Sequence, residues 1–566
     1  MKDLIKGLLP LLILACVISC KYQNKKEVNN SAKKSIAQAI SVLPNASIEE
    51  TISYYHKLKK EQPISYNFED ENELNTLGYQ YLTNGKVKEA IEIFKLLVDE
   101  FPDSYNPYDS LGEAYYKNGN YELSLINYRN SLALNPKNTN AERMIFNINY
   151  DQRDRPKFHQ VFSKQEYLED MDEMAKRIAE KHPNPFEFIT REDFGELVEN
   201  QKAKVKEGMT YGEFIWELSP IIASVGCEHT RLGGFNQEDE MLPVSLRFPL
   251  EADLLDSELL VTNPRINRNK VTAGSSIKTI NGKAINEITK DVFKHISSNG
   301  HSKGLKKSIF SAYFTSYIAY YFGFPESYEI TLEGQNQTIK LTQLKEFEYP
   351  YIQDDIGLEI FETQNYGTLR IPYFGAYGGD KLKKYQKFIR SSFEELKQAK
   401  VGNLIIDLRG NGGGCSCGAI YLLQHIAKQP FTYFDELSPL PGDPNEGEEK
   451  KPLKNSFTGN TYILIDGLNA STSGHLLSVV KENNMAILVG EEAGSSYYSN
   501  GGMVSHMGTH TAVTYMIASE TYFTSATNLP RDRGVLPDHY VYKSALDILN
   551  NKDAQLNYVL NIIKEK

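Results

Sequence analysis

The 566-residue sequence contains no hydrophobic run long enough to cross a bilayer. Its leading apolar run, Leu8 to Ile18, is eleven residues long, whereas a spanning helix needs roughly 20. An excess of positive charge is also missing, since 62 Lys and Arg stand against 73 Asp and Glu. The net charge of −11 excludes the basic footprint of a nucleic-acid-binding protein. With 40% hydrophobic and 24% charged residues, the chain is not globally disordered, and its length predicts several domains.

The first twenty residues have the pattern of a targeting segment. Lys2 and Lys6 precede the apolar run, which ends at Ser19-Cys20. The stretch Val17 to Cys20 resembles the lipobox of bacterial lipoproteins, in which the cysteine is acylated and becomes the new N-terminus. The resemblance implies a signal peptide at 1–20, lipidation of Cys20, and a place in the bacterial cell envelope, lipid-anchored on the periplasmic or surface side of the outer membrane. An ordinary secretory signal is the alternative, and residues 21–50 are predicted to be a flexible tether.

Residues 51–140 contain an internal repeat with a period of 34 residues. The matched positions are Leu77-Gly78 with Leu111-Gly112, Tyr81 with Tyr115, Gly85 with Gly119, Phe94 with Tyr128, and Pro102 with Pro136. This pattern resembles tetratricopeptide repeats, which are pairs of antiparallel helices. Such a region either binds a protein partner or serves as a spacer that positions the next domain.

Two further regions are predicted before the C-terminal part. Residues 141–235 form a helical part, because apolar residues recur at helical spacing between Glu166 and Lys206. Residues 236–350 are β-rich, and the stretch 273–283, which ends in an Asn-Gly turn, resembles PDZ-like domains. A groove of that kind binds extended peptides along a sheet edge. A helical insert at Ser308 to Tyr321 departs from a minimal PDZ domain.

Residues 351–566 alternate apolar strands with helices, which predicts an α/β layer architecture. The strand Asn403 to Leu408 leads into the glycine run Gly410 to Gly414. Backbone N–H groups in such a run can face a developing negative charge. A phosphate-binding P-loop is disfavoured because no Gly-Lys-Ser/Thr follows.

A second strand, Thr461 to Asp466, delivers Ser471 to the start of an apolar helix. A serine at a strand-to-helix turn exposes its hydroxyl beside helix N-terminal amides, where a nucleophile is favoured. The structural alternative is an N-cap serine. Thr472 and Ser473 are the alternative hydroxyls if the register differs by one or two residues.

Several short stretches occur in the order found in tail-specific, or C-terminal processing, serine peptidases. They are Met209-Thr210, SVGCEHT (224–230), LIIDLRGNGGG (404–414), NASTSGH (469–475), LVGEEAG (488–494) and GVLPD (534–538). The chain resembles this family from about residue 160 to its end. The resemblance implies an α/β crotonase/Clp-like peptidase core, polypeptide substrates, Ser471 as nucleophile and no cofactor.

The general base implied by the resemblance is a histidine. Family members with a Ser-Lys dyad carry the lysine about 25 residues after the serine, where this sequence has Ser496, and no lysine lies between Lys481 and Lys543. The tricorn-like branch uses a histidine at the position of His229, although the usual Asp-Gly before it is Cys227-Glu228 here. An imidazole can take the hydroxyl proton and return it to the leaving amine.

The remaining roles follow from the same resemblance. Gly412 or Gly413, with the N–H of Thr472, is expected to form the oxyanion hole. Glu228 or Asp532 could orient the His229 imidazole.

The cysteines outside the signal segment, Cys227, Cys415 and Cys417, all lie in the motif loops. Free buried thiols and no metal are expected. A disulfide between loops, or a zinc site formed by the three cysteines and His229, are the alternatives.

Together these features predict an envelope lipoprotein serine endopeptidase. The alternative is a catalytically inactive scaffold of the same fold that binds peptides.

Overall fold

The computed structural model describes residues 33–43, 46–233, 242–255, 258–335, 337–346, 355–375, 377–440 and 443–565. The signal segment 1–20 and the lipidation site Cys20 lie outside these residues. The chain divides into two compact units, one ending at Ile148 and one running from Asn149 to Lys566. The finer domain boundaries given above remain predictions.

The first unit is helical. Its helices are α1 (Ile36–Ser41), α2 (Ile48–Glu61), α3 (Glu71–Thr83), α4 (Val87–Glu100), α5 (Tyr105–Lys117), α6 (Tyr121–Leu134) and α7 (Thr139–Gln152). The last four residues of α7 belong to the second unit. A short parallel pair, β1 (Lys34–Ser35) and β2 (Tyr66–Asn67), precedes and follows the first two helices.

The 34-residue period corresponds to a recurring packing contact. Gly78 on α3 packs so closely on the Phe94 ring of α4 that a Cβ would overlap the ring. The same contact recurs 34 residues later, where a Cβ on Gly112 would lie 3.1 Å from the Tyr128 ring. Glycine lets each helix pair approach closely, which is the role the repeat pattern predicts. Whether these pairs are tetratricopeptide repeats stays a prediction.

The prediction of a flexible tether is wrong for its last part. Residues 34–41 form β1 and α1, and Ile36 and Ile40 are each 1% exposed in the core of the first unit. Isoleucines four residues apart lie on one helix face and can be buried together. The Ser35 hydroxyl also caps α1 by accepting the N–H of Gln38.

The second unit begins with a helical part, as predicted. It comprises α8 (Lys164–Lys181), α9 (Arg191–Lys202) and α10 (Tyr211–Ala223). Capping boxes start α8 at Ser163 and Glu166 and start α10 at Thr210 and Glu213. The loop after α10 carries Glu228 and His229.

A six-stranded antiparallel sheet follows, in agreement with the predicted β-rich region. Its strands are β4 (Glu251–Leu255), β5 (Glu258–Asn263), β6 (Ser276–Ile280), β7 (Lys283–Ala284), β8 (Glu329–Leu332) and β9 (Ile339–Lys340). The predicted Asn-Gly turn joins β6 to β7, with φ of 45° at Asn281 and 79° at Gly282. Three helices accompany the sheet, namely α11 (Ile285–Val292), α12 (Lys303–Ala312) and α13 (Phe314–Tyr321).

The C-terminal part has the predicted α/β architecture. The strands of its six-stranded sheet are β10 (Gly357–Phe361), β11 (Tyr366–Arg370), β12 (Asn403–Asp407), β13 (Asn460–Ile465), β14 (Ile487–Gly490) and β19 (His539–Tyr540). They have the order β10-β11-β12-β13-β14-β19 and are parallel except for β10. The helices are α14 (Gly379–Ala399), α15 (Ser416–Ile426), α16 (Thr472–Glu482), α17 (Ala545–Leu549) and α18 (Ala554–Glu565).

Helices cover both faces of this sheet. Ile406 and Ile463 pack in a core with side chains of α14, α15 and α16, whereas Ile405 and Leu464 pack with Val559 of α18. Because both faces are buried, β12 and β13 read as continuous apolar runs.

Two small antiparallel sheets complete the unit. One pairs β15 (Tyr498–Gly501) with β18 (Glu520–Phe523), and the other has the order β16 (Val504–Met507), β17 (Thr514–Ile517), β3 (Arg231–Leu232). The second sheet ties the strand directly after His229 to the C-terminal part. Short 3₁₀ turns lie at Val244–Leu246, Arg265–Asn267, Phe293–His295, Glu362–Gln364 and Pro444–Gly447.

Across the ranges that the structure describes, every helix is too short or too polar to cross a membrane.

Candidate active site

The glycine run and the serine loop meet at one edge of the parallel sheet. The strands β12 and β13 are adjacent and parallel, so the loops at their carboxyl ends emerge side by side. The Asn469 side-chain amide donates to the Leu408 carbonyl at 2.5 Å. The Gly410 N–H donates to both Asp466 carboxylate oxygens at 3.1 Å. These hydrogen bonds fix the two loops against each other.

Ser471 occupies the turn between β13 and α16. Its φ of 53° and ψ of −130° lie in a region that non-glycine residues seldom adopt, as expected for a sharp nucleophile turn. The alternative hydroxyls are engaged in the structure. Thr472 Oγ1 donates to the Gly414 carbonyl at 2.6 Å, and Ser473 Oγ accepts from the Asn469 amide at 3.1 Å. Ser471 lines a cavity of about 370 Å³, and neither alternative does.

His229 lines the same cavity as Ser471, although 242 positions separate them in the sequence. His229 is 9% exposed, and its Nδ1 has no hydrogen-bond partner among the described residues. The nearest carboxylate oxygen, Glu228 Oε1, lies 3.7 Å from this nitrogen. The structure thus brings together the predicted nucleophile and the predicted base.

Glu228 also contacts the Ser471 loop directly, because its Oε1 accepts the Ser471 N–H at 2.9 Å. One carboxylate therefore holds the serine backbone and faces the imidazole. Asp532, the other predicted orienting residue, accepts the His301 N–H through its backbone carbonyl. In the described ranges no hydrogen bond or ion pair joins the Asp532 side chain to His229. The geometry favours Glu228 over Asp532.

Burial lowers the pKa of His229 below its ordinary value of 6.5, and the Glu228 charge offsets only part of that effect. Two neighbouring imidazoles behave in the same way. Burial lowers the pKa of His182 to about 4 and that of His475 to about 3. His229 is therefore neutral at pH 7, which is the form a general base requires.

Of the three predicted oxyanion donors, the Gly413 N–H already donates a hydrogen bond within the protein. Its N–H donates to Asn411 Oδ1 at 2.9 Å, so it is not available to a substrate oxygen. The N–H groups of Gly412 and Thr472 have no hydrogen-bond acceptor in the described part of the chain. A Cβ built on Gly412 would meet no atom within 4 Å, so this glycine faces open space. Gly412 and Thr472 are the pair left for the oxyanion.

The cysteines depart from the expectation of three free thiols. Cys415 and Cys417 form a disulfide, and Cys227 is a buried free thiol. The two Cα atoms of the bridge are 5.2 Å apart, within the range a disulfide spans, because the chain turns into α15 between them. Sequence spacing alone gave no indication of this local bridge.

The four-ligand zinc alternative is not assembled. Among the described residues, the one cluster with metal-ligand spacing consists of Cys415, Cys417 and Glu446. Cys227 and His229 are outside it, and the disulfide engages both sulfurs of Cys415 and Cys417.

We expect the peptide containing Cys415 and Cys417 to resist alkylation until a reductant is added, even after denaturation. Burial raises the pKa of Cys227 to about 12, so that thiol should react only once the protein is unfolded. Peptide mapping by mass spectrometry, with and without reductant, measures both. Alkylation of Cys415 and Cys417 in unreduced protein would contradict the disulfide.

Two features of the site had no signal in the sequence. Helix α12 contributes Leu305 and Ile309 to the cavity wall, and only its last five residues fall within the predicted insert, Ser308 to Tyr321. The Asn469 side-chain amide links the Ser471 loop to the glycine run by donating to the Leu408 and Asn411 carbonyls, and the Asn411 amide donates to the Ile371 carbonyl after β11. Each asparagine reads in the sequence as an ordinary loop residue.

Comparison with known proteins supports the peptidase class that these residues suggest. Residues 365–541 match the model of peptidase family S41. A search of curated proteins finds no match.

Two solved structures of mature CPAF share the fold at low identity. Mature CPAF is 12% identical, with 71% of this chain and 97% of that chain covered and a TM-score of 0.51. The structure of mature CPAF complexed with lactacystin is 13% identical, with 71% and 98% covered and a TM-score of 0.51. A photosystem II D1 C-terminal processing protease is 13% identical, with 70% and 97% covered and a TM-score of 0.37.

The family match contains the glycine run and the Ser471 turn, and the CPAF fold extends over most of the second unit's length. Residues 365–541 of the protein are therefore similar to peptidase family S41, and this similarity indicates a serine-type peptidase.

Proposed function

We propose that the protein is an envelope-anchored serine endopeptidase in which Ser471 is the nucleophile and His229 the general base. The observation that carries this proposal is the shared cavity. Ser471, His229 and Gly412 all line it, and the unclaimed N–H groups of Gly412 and Thr472 lie beside the serine turn. The function is tested by whether the protein cuts an unstructured polypeptide into internal fragments, and by whether this needs Ser471.

In this mechanism Ser471 Oγ attacks the scissile carbonyl while His229 removes the hydroxyl proton and later returns it to the leaving amine. The Gly412 and Thr472 N–H groups stabilise the oxyanion. No hydrogen bond joins Ser471 to His229 among the described residues, and such bonds commonly tighten only when substrate is bound. Glu228 holds the Ser471 backbone and favours the imidazolium that forms during attack.

The base is a histidine rather than a lysine in this proposal, as in the tricorn-like branch. Ser496 stands where a dyad lysine would be, and it is buried. The inactive scaffold stays the alternative outcome: an intact polypeptide after incubation with folded protein would support it.

The N-terminal segment supports the proposal of a lipid anchor on Cys20 in the periplasm-facing or surface leaflet of the envelope. We expect Cys20→Ser to move the protein from the membrane pellet to the soluble fraction, because a chain without the acylated thiol keeps only a short apolar run. Fractionation followed by immunoblotting measures this. Cys16→Ser, inside the same apolar run, is the matched control and should stay in the pellet. Unchanged membrane association of Cys20→Ser would contradict the anchor.

The first unit is proposed to recruit a protein partner or position the peptidase, without contributing to catalysis. The motifs of the peptidase begin only after about residue 160, and the second unit, Asn149 to Lys566, is compact by itself. We expect removal of residues 33–148 to leave kcat/KM for a short unstructured peptide within about threefold of the full chain. Steady-state hydrolysis by both proteins measures this. A large loss in a folded truncation would show that the first unit completes the active site.

A further inference from the structure

The cavity beside Ser471 is apolar over most of the wall that lies away from the serine. The apolar side chains come from stretches far apart in the sequence: Ile222, Leu232, Ile296, Leu305, Ile309 and Leu468. At about 370 Å³ the cavity has room for a large side chain, since an apolar cavity of roughly 150 Å³ already holds benzene.

Helix α12 is fixed directly against the loop that carries Ser471. The Gly304 carbonyl approaches Gly467 so closely that any Cβ there would overlap it. A Cβ on Gly494 would lie 3.2 Å from Leu305 Cδ1 and 3.3 Å from Ala470 Cβ. The helix wall and the nucleophile therefore hold a fixed relative position.

Leu305 and Ile309 are four residues apart on α12, so they lie on the same helix face. Both line the cavity, and Tyr313 at the end of the helix continues the wall. Lys303, on the same helix, is exposed and does not line it.

Apart from the proposed nucleophile and base, the polar groups that line the cavity are engaged by other residues or exposed to solvent, and its two charged side chains are Glu228 and Arg231. His295 Nδ1 shares a 2.7 Å hydrogen bond with Ser219 Oγ. Its ring stacks on Trp216, with the two ring centroids 3.4 Å apart. Burial lowers the pKa of His295 to about 3, so it is neutral at pH 7. Glu228 is engaged by the Ser471 N–H, and Arg231 is exposed. Burying a charged side chain against the apolar wall formed by Leu305 and Ile309 would be costly.

We propose that this cavity is the specificity pocket of the peptidase, and that it takes one large apolar side chain, aromatic or long aliphatic, adjoining the scissile bond. Helix α12 supplies its selective wall through Leu305 and Ile309. This inference rests on the proposed function, because it assigns the substrate class of the Ser471 site.

A library of unstructured peptides, with cleavage positions read by mass spectrometry, tests the proposal on the full chain. The residues flanking the cleaved bond should be enriched in Phe, Tyr, Leu and Met at one position. In matched peptides that differ only there, Phe should be cleaved at least about tenfold faster than Ala, and Asp should be cleaved least.

Ile309→Trp, which narrows the pocket, should lower kcat/KM for the Phe peptide about tenfold or more while changing that for the Ala peptide less than about threefold. Lys303→Ala on the same helix is the control and should change neither. Ile309→Ala, which cannot overpack the wall, should instead reduce the preference for Leu over Ala. Labelling of Ser471 by a fluorophosphonate shows that each variant retains a folded site.

Ser471-dependent cleavage with no apolar preference, or an equal loss for both peptides in Ile309→Trp, would overturn the pocket and leave the proposed function standing. No cleavage and no labelling in folded wild-type protein would overturn both.

Discussion

Replacing Ser471 by alanine is expected to lower kcat/KM for peptide hydrolysis by a factor on the order of 10⁶, the loss seen when a serine peptidase loses its nucleophile. The variant keeps the cavity and the oxyanion donors, but it has no oxygen to attack the scissile carbonyl. Initial rates on an unstructured peptide, with circular dichroism as the check on folding, measure the effect.

Ser473→Ala is the matched control, since Ser473 lies two residues further along α16 and is held by Asn469. We expect it to retain activity within about tenfold of wild type. The opposite pattern, with Ser471→Ala active and Ser473→Ala inactive, would show that the nucleophile register is wrong.

His229→Gln is expected to lower kcat/KM by a factor of about 10² to 10⁴, the usual contribution of positioned proton transfer. Glutamine approximates the size of the imidazole but cannot accept the serine proton. His159→Ala, at an exposed histidine of the same unit, is the control and should leave the rate unchanged.

The pH profile tests the same assignment. A general base works only when unprotonated, so kcat/KM should be constant above the His229 pKa and fall below it. Because burial lowers that pKa, the acid limb should lie below pH 6.5 and be absent from the residual activity of His229→Gln. Near-wild-type turnover in the variant, with the acid limb unmoved, would remove His229 from the mechanism.

Loss of activity through acid unfolding must be distinguished from the acid limb of the kcat/KM profile. His182, His229 and His475 are buried with lowered pKa values, so the unfolded chain binds more protons than the folded one once the pH falls below about 6.5. Their contribution to stability is present above that pH and decreases as the pH falls towards their folded pKa values. Circular dichroism at each assay pH distinguishes loss of fold from protonation of the base.

The C-terminal architecture was predictable because its signals are local. The apolar run Leu404 to Ile406 predicted a buried strand, and the structure places it at the centre of the parallel sheet. In the β-rich region, the turn at Asn281-Gly282 was predictable because this dipeptide readily adopts two positive φ values, and the structure has both. The predicted tether was wrong for residues 34–41 because tertiary packing buries Ile36 and Ile40, although the sequence around them is polar.

The candidate site was predictable only as far as its motifs extend. Ser471 and His229 stand in recognisable stretches, whereas the choice between Gly412 and Gly413 depends on which N–H the Asn411 side chain accepts. No sequence pattern encodes that hydrogen bond. The cavity wall from α12 depends on close backbone approach at Gly304 and Gly467, which only the folded chain brings together.

The most direct measurement of the central claim is reaction of the purified protein with a fluorophosphonate, which bonds to activated serine hydroxyls, followed by peptide mapping. We expect one label per chain, on Ser471, lost in Ser471→Ala and strongly slowed in His229→Gln. Folded protein that takes up no label, or that is labelled at a different serine, would contradict the account.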